Sequence, residues 1–305
     1  MKEYQVIIVG GGGAGLTAAL YTSRAKLSTA LFEKLVPGGQ IAVTDLVENY
    51  PGFPGGISTF DLIDKFKKQV EDLGLEIENQ SVLEIIPEGK FYNVKTESGV
   101  FKTKTVIVAS GAASKRIGVK GEDKFIGKGV SYCGTCDGPL FKNKDIVVVG
   151  GGDRAVEDAI FLANYAKRVY LVHRRSEFRA SQILVDKAKT TPKIKFILEF
   201  VVEEIIGGNK VEQVRIKNVK TSVESNLFCQ GVFILAGINP NTEFIKNILE
   251  INEAGFIIID RRMHTSKEGI FACGDCVEKG LYQVISACSD GAAAADSAHK
   301  YLLKS

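Results

Sequence analysis

The chain has 305 residues, enough at usual domain sizes for about two domains with real cores. Apolar residues make up 45% and charged residues 25%, with a formal net charge of +3. That balance excludes a disordered chain and is too even for a surface that holds polyanions, so no nucleic-acid partner is expected. No apolar run approaches the ~18 residues of a membrane span, because Gln230 interrupts the stretch from Phe228 to Ile238. The start, Met1-Lys2-Glu3-Tyr4, leads into a strand rather than a secretory leader, so the expected location is the cytoplasm. Six cysteines over this length are no disulfide scaffold, and a close pair in a cytoplasmic chain points to redox chemistry or metal.

Val6-Ile7-Ile8-Val9 reads as a strand buried on both faces, ending in Gly10-Gly11-Gly12-Gly13-Ala14-Gly15 and followed by a helix from Leu16. Strand, glycine turn and helix in this order are the context in which G-x-G-x-x-G binds a dinucleotide. Gly10 permits the tight turn, Gly12 lets a pyrophosphate approach the backbone, and Gly15 lets helix and strand pack closely. Gly13 and Ala14 open the helix whose free N–H groups would face the phosphates. Glu33 ends the next extended run, Ala30-Leu31-Phe32-Glu33, where a carboxylate accepts from a ribose 2′-hydroxyl and repels a 2′-phosphate. The turn is read as the site of a dinucleotide without a 2′-phosphate.

Thr105-Val106-Ile107-Val108 then forms a buried strand ending in Ala109-Ser110-Gly111-Ala112. A domain crossing is expected there. Cys133-Gly134-Thr135-Cys136-Asp137 follows, with two thiols in reach of one disulfide and a carboxyl group beside Cys136 to carry the proton of the leaving sulfur. That carboxyl group can serve as the acid if burial raises its pKa. A second C-x-x-C, Cys273 to Cys276, leaves open half of a four-cysteine zinc site; the preferred reading has no metal.

The first pattern returns 140 residues on, where Ile146-Val147-Val148-Val149 precedes Gly150-Gly151-Gly152-Asp153-Arg154-Ala155 and a helix through Leu162. The position equivalent to Glu33 is His173, followed by Arg174, Arg175 and Arg179. Clustered guanidiniums suit a phosphate dianion, the group that separates NADPH from NADH and FAD. The expected fold is α/β, with two Rossmann-like three-layer dinucleotide-binding domains, the second inserted in the first. Residues 1–112 and 240–305 form the FAD-binding domain, and residues 113–239 the NADPH-binding domain carrying the cysteine pair. After a break at Gly237-Ile238-Asn239-Pro240-Asn241, further strands are expected over Gly255–Asp260 and Gly269–Asp275, and a closing helix over Ser286–Leu303. A flavin accepts hydride from a nicotinamide and passes two electrons to a disulfide, so the three sites make one relay.

These residues, with Gly38-Gly39-Gln40, Val47-Glu48-Asn49-Tyr50-Pro51-Gly52-Phe53, Phe178-Arg179-Ala180 and Gly269 to Asp275, resemble the low-molecular-weight thioredoxin reductases, a group of pyridine-nucleotide flavoprotein disulfide oxidoreductases. The resemblance implies a homodimer with one FAD per subunit that reduces the disulfide of thioredoxin or a thioredoxin-like protein. It implies that Cys136 deals with the flavin, Cys133 attacks thioredoxin, and Asp137 is the acid. It further implies that Gly39, Gln40, Thr44, Asn49, Val82, Ala109, Gly111, Gly274, Asp275, Gln283 and Val284 line the FAD, and that Gly150, Gly152, Asp153 and Arg154 join the NADPH site. The sequence departs from the family pattern at Arg154, Tyr282 and Ser289. The alternatives are NADH or a reduced ferredoxin as donor, another small redox protein as acceptor, or a non-catalytic flavoprotein or zinc-held interaction module.

Overall fold

The computed structural model describes residues 2–43 and 46–304, without the side chain of Val43. Its helices are α1 (Gly13–Arg24), α2 (Thr59–Glu71), α3 (Gly134–Asp137), α4 (Asp153–Leu162), α5 (Gln182–Thr190) and α6 (Val284–Leu302). The chain divides into two compact units, Met1–Ala113 with Asn239–Ser305, and Ser114–Ile238.

In the first unit the parallel strands run in the spatial order Ile77–Asn79, Thr29–Glu33, Glu3–Val9, Val100–Val108, Ile270–Ala272. The order reverses between Glu3–Val9 and Val100–Val108, the kind of switch point where open α/β sheets bind ligands beyond the strand ends. Alternate residues of the first strand serve opposite faces. Val6 and Ile8 pack with Leu16, Ala18, Ala19, Val70 and Ala294 from α1, α2 and α6, while Ile7 and Val9 pack with Ile85, Tyr92 and Val94 of the hairpin Val82–Glu88 and Phe91–Thr96. Glycine permits the close approach of α6 to α1: a Cβ on Gly291 would lie 2.1 Å from the Ala14 carbonyl oxygen.

The second unit repeats this plan, in the order Ile194–Leu198, Arg168–His173, Asp145–Val149, Gly231–Ile234, Val130–Ser131, all parallel. Ile146 and Val148 face α4 and α5, whereas Val147 faces an antiparallel sheet of Phe200–Ile206, Gln213–Asn218 and Glu224–Phe228. Both units are therefore three-layered, a parallel sheet between helices and antiparallel strands, as the repeat predicts.

The expected strand over Gly255–Asp260 does not form. Only Ile257 pairs, by isolated bridges to Ile251 and Val277. The run is apolar because Phe256 and Ile257 are buried, Ile257 beside Ile245 and Leu249, while Ile258 is 48% exposed. Asn252 closes the preceding turn, its side-chain oxygen accepting from the N–H groups of Ala254 and Phe256. None of the six helices is long and apolar enough to cross a membrane, among the described residues.

Candidate active site

The first glycine turn is shaped by close approach. Gly10 has φ +106°, and a Cβ there would stand 2.3 Å from the Ala109 carbonyl oxygen, at the switch point. A Cβ on Gly15 would lie 1.7 Å from the Gly10 oxygen, so no larger residue lets α1 start so near the strand. Gly12 has nothing within 4 Å of its Cβ direction. It is the N-cap of α1, with no side-chain cap and no acidic residue in the first turn. An open, uncapped helix start fits an anion such as a pyrophosphate. The Gly11 N–H donates to Glu33 Oε2 at 2.7 Å and the Leu35 N–H to Glu33 Oε1 at 3.0 Å, fixing the carboxylate beside the turn.

Some of the other residues expected at the flavin lie against this helix start. Gly39 (φ +55°) passes Gly12, its Cβ direction 3.4 Å from the Gly12 Cα, and Gly274 (φ +77°) abuts Ala14 at 2.8 Å. Val284 and Cys288 of α6 border Gly13. Asn49 Nδ2 donates to Gln283 Oε1 at 3.0 Å, joining residues 234 apart in sequence. Gly111 (φ +67°) follows the switch-point strand and accepts from the Asn241 N–H at 2.9 Å. Gln40 is exposed in the short helix Gly39–Val43. Val82 starts its hairpin strand opposite Thr96, with no described contact to the glycine turn. Thr44 lies outside the described residues.

Sequence reasoning missed Lys279. Its ammonium lies 3.1 Å from Asp275 Oδ1 and 2.9 Å from Asp290 Oδ2. Burial disfavours its charge, but the two carboxylates prevail and hold its pKa above the ordinary value. The only signal in the chain is the four-residue spacing to Asp275; Asp290 arrives through the fold. Tyr282 accepts from the Lys279 N–H at 3.3 Å and its ring packs beside Phe256. Cys273, Cys276 and Cys288 are buried thiols whose pKa values burial raises, which disfavours the thiolate needed for exchange.

The second turn uses the same devices. A Cβ on Gly150 would stand 2.6 Å from the Leu235 oxygen, and Gly152 is open, with no side-chain cap on α4. Asp153 accepts from the Ser181 N–H at 2.6 Å. Gly151 lies over the His173 ring, which is buried and stacked on Phe178 at 5.3 Å. Burial, aided by the nearby arginines, lowers the His173 pKa, and Nε2 has no partner among the described residues. Arg174, Arg175 and Arg179 are exposed, and the Arg179 N–H donates to the Gly151 carbonyl at 2.7 Å, so the arginine segment is tied to the turn.

Cys133 and Cys136 are joined in a disulfide, so neither sulfur is a free thiolate for the four-cysteine zinc reading. Cys133 is the N-cap of α3 and its sulfur accepts from the Cys136 N–H at 3.2 Å. A thiolate there would be favoured by that donor. Ser131 Oγ holds both the N–H and the carbonyl of Cys133. Gly134 and Gly138 leave room for α4: Cβ atoms would meet the Asp158 carboxyl at 2.8 Å and Leu162 at 3.1 Å. Asp137 is half-buried at the end of α3. Arg154 points to the Tyr132 carbonyl at 3.4 Å. Thus α4 starts at the second glycine turn and supports the disulfide one to two turns later.

Residues 4–291 match the model of the pyridine nucleotide-disulphide oxidoreductase family. The chain is 44% identical over 302 residues to a thioredoxin reductase of Listeria innocua serovar 6a, covering 99% of this chain and 94% of that protein. It is likewise 44% identical over 302 residues to a thioredoxin reductase of Bacillus subtilis strain 168, covering 99% and 95%. The crystal structure of thioredoxin reductase from Streptococcus pyogenes superposes with a TM-score of 0.92 at 43% identity, covering 99% of each chain.

Proposed function

Since the chain belongs to the pyridine nucleotide-disulphide oxidoreductases, and within them to the thioredoxin reductases, we propose that it is an NADPH-dependent thioredoxin-disulfide reductase. FAD is its cofactor, thioredoxin its acceptor, and a homodimer in the cytoplasm its working form. The observation that carries the reading is the Cys133–Cys136 disulfide at the start of α3, resting on the helix that begins at the second glycine turn.

When bound, the nicotinamide and the flavin supply hydride transfer and the two electrons that open the disulfide. The turn at Gly10–Gly15, with Glu33 for a ribose hydroxyl, is assigned to FAD; the turn at Gly150–Ala155, with Arg174, Arg175 and Arg179 for a 2′-phosphate, to NADPH. Once the pair is reduced, the Cys133 thiolate attacks one sulfur of the thioredoxin disulfide. A mixed disulfide forms, and the departing sulfur takes a proton from Asp137. Cys136 then passes its proton to the Asp137 carboxylate and attacks the Cys133 sulfur, releasing the second thioredoxin thiolate, which takes a proton from water, and restoring the Cys133–Cys136 bond. Asn49, Gln283 and Asp275 are assigned to the walls of the flavin site, with Lys279 holding Asp275.

Steady-state reduction of thioredoxin with NADPH and with NADH tests the assignment. NADPH is expected to give the lower KM at similar kcat, and equal use of the two donors would overturn the choice of nucleotide.

A further inference from the structure

The mechanism leaves one carboxyl group beside the disulfide without a role. Asp158 lies on α4, one turn after Arg154, and its Oδ2 accepts from the Gly134 N–H at 3.2 Å. That N–H belongs to the peptide that leaves Cys133, at the first position of α3. The fit is tight, since the Cβ direction of Gly134 reaches Asp158 Oδ2 and Cγ at 2.8 Å, and Gly134 is buried. Any side chain at position 134 would displace the carboxyl group.

We propose that Asp158 is a positioning residue for the redox pair: it fastens the start of α3 through the Gly134 N–H, and its charge beside Cys133 opposes the Cys133 thiolate and biases the pair toward the disulfide. The proposal rests on the reading of Cys133–Cys136 as the redox centre. Two features set its sign. The Cys136 N–H donates to the Cys133 sulfur, a donor that favours a thiolate there. The Asp158 carboxylate takes the neighbouring donor and adds a like charge, which disfavours it. Arg154 and Glu157 on α4 act on the Asp158 carboxyl group, and Cys136 and Asp137 on α3 and Tyr132 before it are the titratable neighbours of Cys133 along the chain. Arg154 draws the Asp158 charge down in energy and Glu157 raises it, while burial is the largest influence and lifts the carboxyl pKa.

The test uses the FAD-loaded full chain and its Asp158→Asn variant, which keeps an oxygen acceptor for Gly134 and removes the charge. Dithiothreitol buffers supply the electrons: the pair gains two electrons and two protons as the reagent closes to its cyclic disulfide. Quenched alkylation and mass measurement count the opened pair, and the pH profile of iodoacetamide reaction reads the Cys133 thiolate. Asp158→Asn is expected to raise the acid dissociation constant of Cys133 about tenfold, one pKa unit. At pH values where that thiolate forms, it shifts the thiol–disulfide equilibrium toward the dithiol by up to about tenfold, or about 30 mV. Gly134→Ala, which pushes the carboxyl group away, should move both readings in the same direction. A purely structural role would alter the melting temperature and leave the alkylation profile in place. Profiles and equilibria within about twofold of the parent, in whichever of the two variants folds, would overturn the proposal. A parent pair that dithiothreitol cannot open would instead refute the redox reading itself, and the proposal with it.

Discussion

The two glycine turns are built by one backbone device and finished with opposite electrostatics. In each, the first glycine abuts the carbonyl at the end of the fourth parallel strand, Gly10 on Ala109 and Gly150 on Leu235. In each, the second glycine packs on the side chain that ends the second strand, Gly11 on Glu33 and Gly151 on His173, and the third faces open space. The first turn presents a carboxylate pinned by two backbone N–H groups. The second hides an imidazole against Phe178 and leaves three arginines exposed beyond it. Sheet geometry sets where a dinucleotide lies, and a few side chains at the strand end select which one. Only the second turn continues into a helix that also supports a disulfide.

The largest expected effect comes from cutting that last link. Cys136→Ser should abolish thioredoxin reduction, down to the uncatalysed background, while retaining flavin at parent stoichiometry; steady-state turnover and the flavin spectrum check both halves. Next come the arginines. Replacing Arg174 or Arg175 by Ala should raise KM for NADPH about ten- to a hundredfold with kcat little changed, as expected for a lost charge-assisted contact of about 1.5–3 kcal/mol. KM for NADH should hardly move, and a parallel rise for both donors would erase the contrast between the turns.

The close-packed positions sharpen the comparison further, because the last position of the motif is glycine in one turn and alanine in the other. Gly15→Ala should destabilise the first unit by about 1–3 kcal/mol through overpacking and weaken flavin retention. Ala155→Gly should cost only about 0.5–1 kcal/mol, the usual penalty of glycine in a helix. Denaturant midpoints and flavin release distinguish the two.

The smallest effect concerns pH. Burial lowers the His173 pKa, so below about 6.5 the unfolded chain binds a proton that the folded imidazole resists. Stability contributed by neutral His173 is therefore present above the unfolded value and declines as pH falls below it. His173→Gln should flatten the loss of melting temperature between about pH 6.5 and 5; an unchanged slope would contradict the burial argument.

Much of this was legible in the sequence, because glycine turns after β-branched runs are local signals. The strands Glu3–Val9 and Asp145–Val149, the starts of α1 and α4, and the Glu33-to-His173 exchange all lie within about 30 residues of their motif. Strand pairing was harder. The apolar run at Phe256–Ile259 reads as a strand, yet it is core packing with a single bridged residue. In the antiparallel layers, Phe91–Thr96 and Gln213–Asn218 alternate buried and more exposed residues, but their partners Val82–Glu88 and Phe200–Ile206 carry paired apolar and paired charged or polar residues that hide the period. Asp158 and Lys279 escaped because an isolated charge has no signature until folding brings Gly134 or Asp290 beside it.

The central claim is that electrons pass from NADPH through a bound flavin into the Cys133–Cys136 bond. Anaerobic absorbance titration of the purified full chain with NADPH, followed by oxidised thioredoxin, tests it most directly. The account predicts a yellow protein that NADPH bleaches and thioredoxin restores, with Cys136→Ser bleached but not restored. A colourless protein that retains no flavin, or a yellow one indifferent to NADPH, would contradict it.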